Sequence, residues 1–141
     1  MDKIKYLYSE AKKFDACPLF SGNESKEKLI RLFMTPQGIE FCQKNNFPSL
    51  EDIRYFKGKT AERNGVYIDS GTIARHNTER IALVGGTFAN LTYDDSSKRH
   101  VVVLMHGAKA RITAKGYAVV FVYNTNGNVE TETHDSAKIL L

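Results

Sequence analysis

The 141-residue sequence has no tryptophan, three prolines and only two cysteines. Without tryptophan, any aromatic platform for a sugar must come from the seven tyrosines. The cysteines, Cys17 and Cys42, have neither a CxxC spacing nor an adjacent histidine. Two such residues cannot supply the four ligands of a structural zinc site, and free thiols in a reducing compartment are expected. No window approaches the ~18 apolar residues of a membrane span. Met1-Asp2-Lys3 opens a mixed, charged stretch and not an apolar leader, so the expected location is the cytoplasm. The length admits one ordinary core and excludes barrel enzymes and large dinucleotide folds.

Charge of one sign is also scarce. Twenty Lys/Arg face sixteen Asp/Glu, a net charge of +4. Residues 1–64 carry 12 basic and 9 acidic side chains, and the remainder carry 8 and 7. Nucleic-acid binding relies on concentrated basic surface, so this diffuse excess disfavours it.

What is present falls into two grammars. Residues 1–64 read as helices. Ile4, Leu7, Ala11 and Phe14 recur at helical spacing, and Cys17-Pro18 ends that segment. Asn23 is the expected N-cap of a second helix carrying Leu29, Ile30, Leu32 and Phe33. Thr35-Pro36 opens a third, which ends near Asn45-Asn46, and Ser49 caps a fourth. Residues 65–141 read as short strands at 66–69, 81–84, 88–93, 101–105, 109–113, 117–122, 128–133 and 137–140. They are rich in Val, Ile, Thr, Tyr and Phe, and Gly, Asn and Asp turns separate them.

A faint repeat runs through the second region. Gly86-Thr87-Phe88-Ala89-Asn90-Leu91-Thr92 aligns with Gly107-Ala108-Lys109-Ala110-Arg111-Ile112-Thr113, each after an apolar run. A poorer copy follows at Asn126–Thr131, and a fragment recurs at Ser136–Ile139. A period near 20 with glycine turns predicts a β-solenoid, each coil stacking its inward side chains on the next. Small residues such as Ala82, Ala89, Ala110 and Ala118 suit a narrow interior. The expected fold is therefore α+β: a helical N-terminal third (1–64) capping a short β-solenoid (65–141) as one unit. An antiparallel β-sandwich or jelly roll is the alternative.

The repeat region resembles short right-handed β-helices of the bactofilin and pectate-lyase-like types. The whole chain resembles small uncharacterised bacterial proteins that share stretches like Gly65–Asp69 and Val103–Ala108. These resemblances imply a fold alone, since no functional residue of those families maps onto a position here.

Chemical motifs are thin. Gly58-Lys59-Thr60 lacks the glycine that a phosphate-binding loop requires five positions earlier, where Ile53 stands. Gly85-Gly86-Thr87 lies between strands, with no helix N-terminus to face phosphates. Cys42 sits in an apolar helical stripe, which reads as core and not as a nucleophile. The residues that could contact a ligand are His106, Asp94, Asp95, Glu130, Glu132, Tyr93 and Tyr123. His106 is expected at a corner, bonded to backbone. Glu130 and Glu132 alternate with threonines and share one strand face. No metal-binding spacing and no cofactor motif is present. The function expected is a non-enzymatic structural or interaction module that self-associates or binds a protein partner. A carbohydrate-binding protein using a polar strand face is the alternative. An outward Val or Phe within Gly107–Val122 would mark the interface.

Overall fold

Short polar side chains start the helices. In the computed structural model, which describes residues 2–14 and 20–141, Asp2, Ser25, Thr35 and Ser49 each accept a backbone N–H in the first turn. They open α1 (Lys3–Lys12), α2 (Lys26–Phe33), α3 (Pro36–Asn45) and α4 (Leu50–Ile53). A 3₁₀ turn (Arg54–Phe56) and α5 (Lys59–Arg63) complete the helical third. The cap of α2 is Ser25, two residues beyond the expected Asn23, because its hydroxyl reaches the Lys28 N–H. Cys17-Pro18 lies outside the described residues.

The strands are β1 (Val66–Ile68), β2 (Gly71–His76), β3 (Arg80–Val84), β4 (Thr87–Tyr93), β5 (His100–Met105), β6 (Lys109–Ala114), β7 (Val119–Thr125), β8 (Asn128–Thr133) and β9 (Lys138–Leu140). Odd-numbered strands form sheet A, in the order β1-β3-β5-β7-β9, and even-numbered strands form sheet B, in the order β2-β4-β6-β8. Every pairing is parallel, which is a β-solenoid of about four turns and excludes the antiparallel sandwich.

The 21-residue offset of the repeat is a true register, with Ala89 beside Ala110 and Leu91 beside Ile112. The next rung shifts by 20 in sheet A but by 19 in sheet B, where Val129 lies beside Ala110, so the corner at Asn126-Gly127 is one residue shorter than that at His106–Ala108. Ser136–Ile139 leads into sheet A, not sheet B, and is no third copy. The strand missing from the sequence reading is β2. Only Ile73 of its six residues is even half-buried, so no alternation marks it.

Two cores share sheet A. Its inward residues Ile81, Leu83, Val102, Leu104 and Val120 meet Ala89, Leu91, Ala110 and Ile112 of sheet B. Each fully buried aliphatic side chain there contributes roughly 1.5–3 kcal/mol. Its outward residues Val66, Ile68, Ala82, Val84, Val103 and Met105 pack under Leu29, Ile30, Ile39, Cys42 and Phe56 of the helical third. Ala82 is thus outward, beneath the helices, and not in the solenoid interior. The helices cover a flank of the first three rungs more than the end of the stack, and β2 stays exposed. Over the first rung, the Arg75 guanidinium lies 5.0 Å from the Tyr67 ring and its Nε donates to the Tyr67 hydroxyl at 3.1 Å. A cation closes that end of the apolar interior.

One corner column carries left-handed backbone throughout: Asp69, Gly85, His106 and Asn126, with φ of 47, 63, 57 and 62°. Gly, Asn, Asp and His are the residues that tolerate this region best. A Cβ on Gly85 would lie 2.4 Å from Asp69 Oδ1, so both backbone and space demand glycine there. Asp69 joins this corner to the helices. Its Oδ2 accepts from Arg54 Nε at 2.6 Å and its Oδ1 from the Gly86 N–H at 2.7 Å. Lys57 Nζ donates to the Asp69 carbonyl at 2.6 Å.

The Arg54 guanidinium, then the Gly86 N–H, holds the Asp69 carboxyl below the usual carboxylate range. A depressed folded value adds stability above the unfolded value of about 4 and loses it as pH falls through the folded one. Asp69→Asn should therefore be less stable than wild type at pH 7 and flatter between pH 4 and pH 2 in urea melts. Parallel curves would remove Asp69 from this role.

Candidate functional site

The seven residues singled out in the sequence do not converge. His106 occupies the left-handed corner, as expected, and its Nε2 meets the Pro48 carbonyl at 2.7 Å. It fastens the corner to the helical third, and no acid pairs with it among the described residues. Tyr93 is 1% exposed, with its hydroxyl bonded to Thr78 Oγ1 at 2.7 Å, and burial pushes its phenol up to about 12. It faces the interior and cannot serve as a sugar platform in this fold. Asp94 bonds the side chain of Asn77 at 2.7 Å and lies 3.4 Å from His76 Nε2. Asp95 accepts from Ser97 N–H and Oγ at 2.8 and 2.6 Å, and those bonds hold its carboxyl low. Both acids shape a corner. Glu130 and Glu132 do share the outer face of β8, beside Arg111 and His134 at 3.9 and 3.3 Å. Tyr123, 43% exposed, lies alone of the seven on a groove.

That groove, of about 680 Å³, runs between α3 and the outer face of sheet A. It exists because the helical cover ends. Each outward column of sheet A continues past the third rung: Val66, Ala82 and Val103 lead to Tyr123, and Arg80 and Val101 lead to Phe121. The last turn of α3 still reaches the fourth rung, where Gln43 bonds the Thr125 hydroxyl and the Leu104 carbonyl. Beyond it, Phe121 and Tyr123 have no helix over them. Phe121 is thus the outward aromatic anticipated within Gly107–Val122.

Three cations border the groove, one from each of three elements: Lys44 at the end of α3, Arg80 at the start of β3 and Arg99 before β5. Arg80 Nη1 donates to the Met34 carbonyl at 3.1 Å, tying the groove wall to the end of α2. Arg99 lies 4.1 Å from the Phe121 ring, a cation–π contact. Its position is set by the next residue. His100 is fully buried, its ring nitrogens 2.9 Å from the Thr78 carbonyl and 2.8 Å from the Asp95 carbonyl. It also packs against Tyr93, with ring centroids 4.7 Å apart and planes tilted by 45°. Glu40 is the one acid on the lining. Among the described residues no carboxylate lies within salt-bridge distance of Lys44, Arg80 or Arg99. The groove therefore offers an apolar, aromatic floor with an unneutralised positive rim.

These cations sit 36 and 19 residues apart and form no run, so they are not legible as a site in the sequence. The signal available was parity: in Val101–Tyr123, alternate residues of each strand face outward, and Phe121 and Tyr123 share that side. No group of three His, Cys, Asp or Glu side chains among the described residues could hold a metal ion. No helix among them is long and apolar enough to cross a membrane.

Cys42 is 5% exposed beneath the helices, and burial pushes its thiol up to about 12. A thiol so raised is almost wholly protonated at neutral pH and a poor nucleophile. A maleimide should label Cys42, read on its own peptide by mass spectrometry, at least about 100-fold faster in denaturant than in buffer. Equal rates would place the thiol in solvent.

Set against known proteins, the chain matches no family model, no curated protein and no solved structure.

Proposed function

We propose that this protein is a non-catalytic interaction module whose groove receives an extended, acidic segment of a protein partner. One observation carries the reading: α3 reaches the fourth rung only at Gln43, leaving Tyr123 in a groove bordered by Lys44, Arg80 and Arg99, with Phe121 against Arg99. Aromatic side chains and arginine dominate the energetics of protein interfaces, and apolar centres with charged rims are their usual anatomy. Of the candidate acids, Asp94 and Asp95 are engaged in a corner and Glu130 and Glu132 lie on an exposed strand face, which supports binding over catalysis. A carbohydrate would find Tyr123 in the groove, but Tyr93 and the acids Asp94, Asp95, Glu130 and Glu132 lie elsewhere.

The rim cations act through long-range attraction, so binding should weaken with salt. A fluorescein-labelled ten-residue peptide of alternating Val and Glu tests this by polarisation. It should bind at low ionic strength, and the Val/Lys counterpart should not. Lys44→Glu with Arg99→Glu should weaken binding at least about tenfold. Tyr123→Ala should weaken it at unchanged salt slope. No binding, or equal binding by the charge-reversed variant, would overturn the proposal.

A further inference from the structure

The chain carries its own acidic, extended segment. On β8, Glu130 and Glu132 point outward with side chains 77% and 64% exposed, and Asp135 follows in the next corner. Two residues apart on one strand, the two carboxylates stand roughly 7 Å from each other. Their intramolecular partners are weak. Arg111 is 3.9 Å from Glu130 in an exposed pair, and His134 is 3.3 Å from Glu132. Exposed pairs of this kind are largely screened. β8 is also an edge strand among the described residues, hydrogen-bonded to β6 alone. An extended segment with carboxylates at two-residue spacing presents its acids along one side, toward a cationic rim.

Resting on the proposed function of the groove, we infer that its occupant is the β8 edge of a second copy of this chain. The two surfaces have complementary charge: Lys44, Arg80 and Arg99 on the groove, and Glu130 and Glu132 on the strand. They lie on opposite flanks, the groove on the outer face of sheet A and β8 in sheet B. A chain cannot fold its own β8 into its own groove. The contact is therefore heterologous, groove to strand, and each added copy presents a new groove and a new strand. Such contacts close into rings or extend into filaments, and do not stop at a two-fold dimer. The contact buries one strand edge, which places it in the weak, salt-sensitive class of interfaces.

Sedimentation velocity over a concentration series decides this on the full chain. At low salt the weight-average mass should climb with concentration past twice the chain mass, and return to 15.9 kDa in high salt. Lys44→Gln with Arg99→Gln disables the groove, and Glu130→Gln with Glu132→Gln disables the strand, so each variant alone should stay monomeric. Mixed, one intact groove meets one intact strand, and the mass should reach twice that of the chain and stop. Wild type at 15.9 kDa under all conditions would overturn the inference, as would association that survives both double substitutions. If that monomer still binds the Val/Glu peptide, the groove's function stands and only its occupant is wrong. If it binds a single-stranded oligonucleotide in place of another copy, the occupant is wrong too.

Discussion

Burial of both faces of sheet A is the constraint on which the rest depends. A parallel sheet is stable where both faces are covered. The inner face of sheet A meets sheet B, and its outer face meets the helices. Sheet B has no such cover, and its strands read accordingly. In β4 and β6, buried residues alternate with exposed ones, whereas Ile81–Val84 and Val102–Met105 are buried at every position. The helical third is therefore a layer of the β-rich core, and the chain is one unit despite its two grammars. Asp69, Lys57 and His106 tie the layers together along one corner.

The same constraint locates the surface available for binding. The outward columns of sheet A persist for more rungs than the helices span. Where the cover ends, the column residues change from Val and Ala to Phe121 and Tyr123, and cations gather at the margin. The groove combines exposed aromatic area with unneutralised positive charge in a concave site. The buried titratable groups are devoted to architecture: His100 fixes the segment before β5, Tyr93 fills the interior, and Cys42 lies on the buried face of α3.

Much of the fold was legible, for physical reasons that can be named. The Gly86 and Gly107 copies reveal a register because adjacent rungs of a solenoid place like side chains in contact. The legibility fails where rung length changes, from 21 to 19 residues, and where a strand lies at the exposed edge, as β2 does. The position of the helices was less legible. An amphipathic helix announces that it covers something, not whether it covers a flank or an end. The continuous apolar runs of β3 and β5 were the missing clue, since they require a second cover. The site was nearly invisible. Lys44, Arg80 and Arg99 are joined by folding alone, and Tyr93 and Tyr123 look alike in sequence although one faces the core and the other the groove.

Hydrogen exchange in low concentrations of denaturant, read peptide by peptide by mass spectrometry, tests the central claim that helices and solenoid share one core. Amides of α2 and α3 and those of β3 and β5 should open together, with the same free energy and the same dependence on denaturant. Helical peptides that exchange at a markedly lower free energy, while β3 and β5 stay protected, would contradict it. The helices would then be a detachable cover and not a wall of the core.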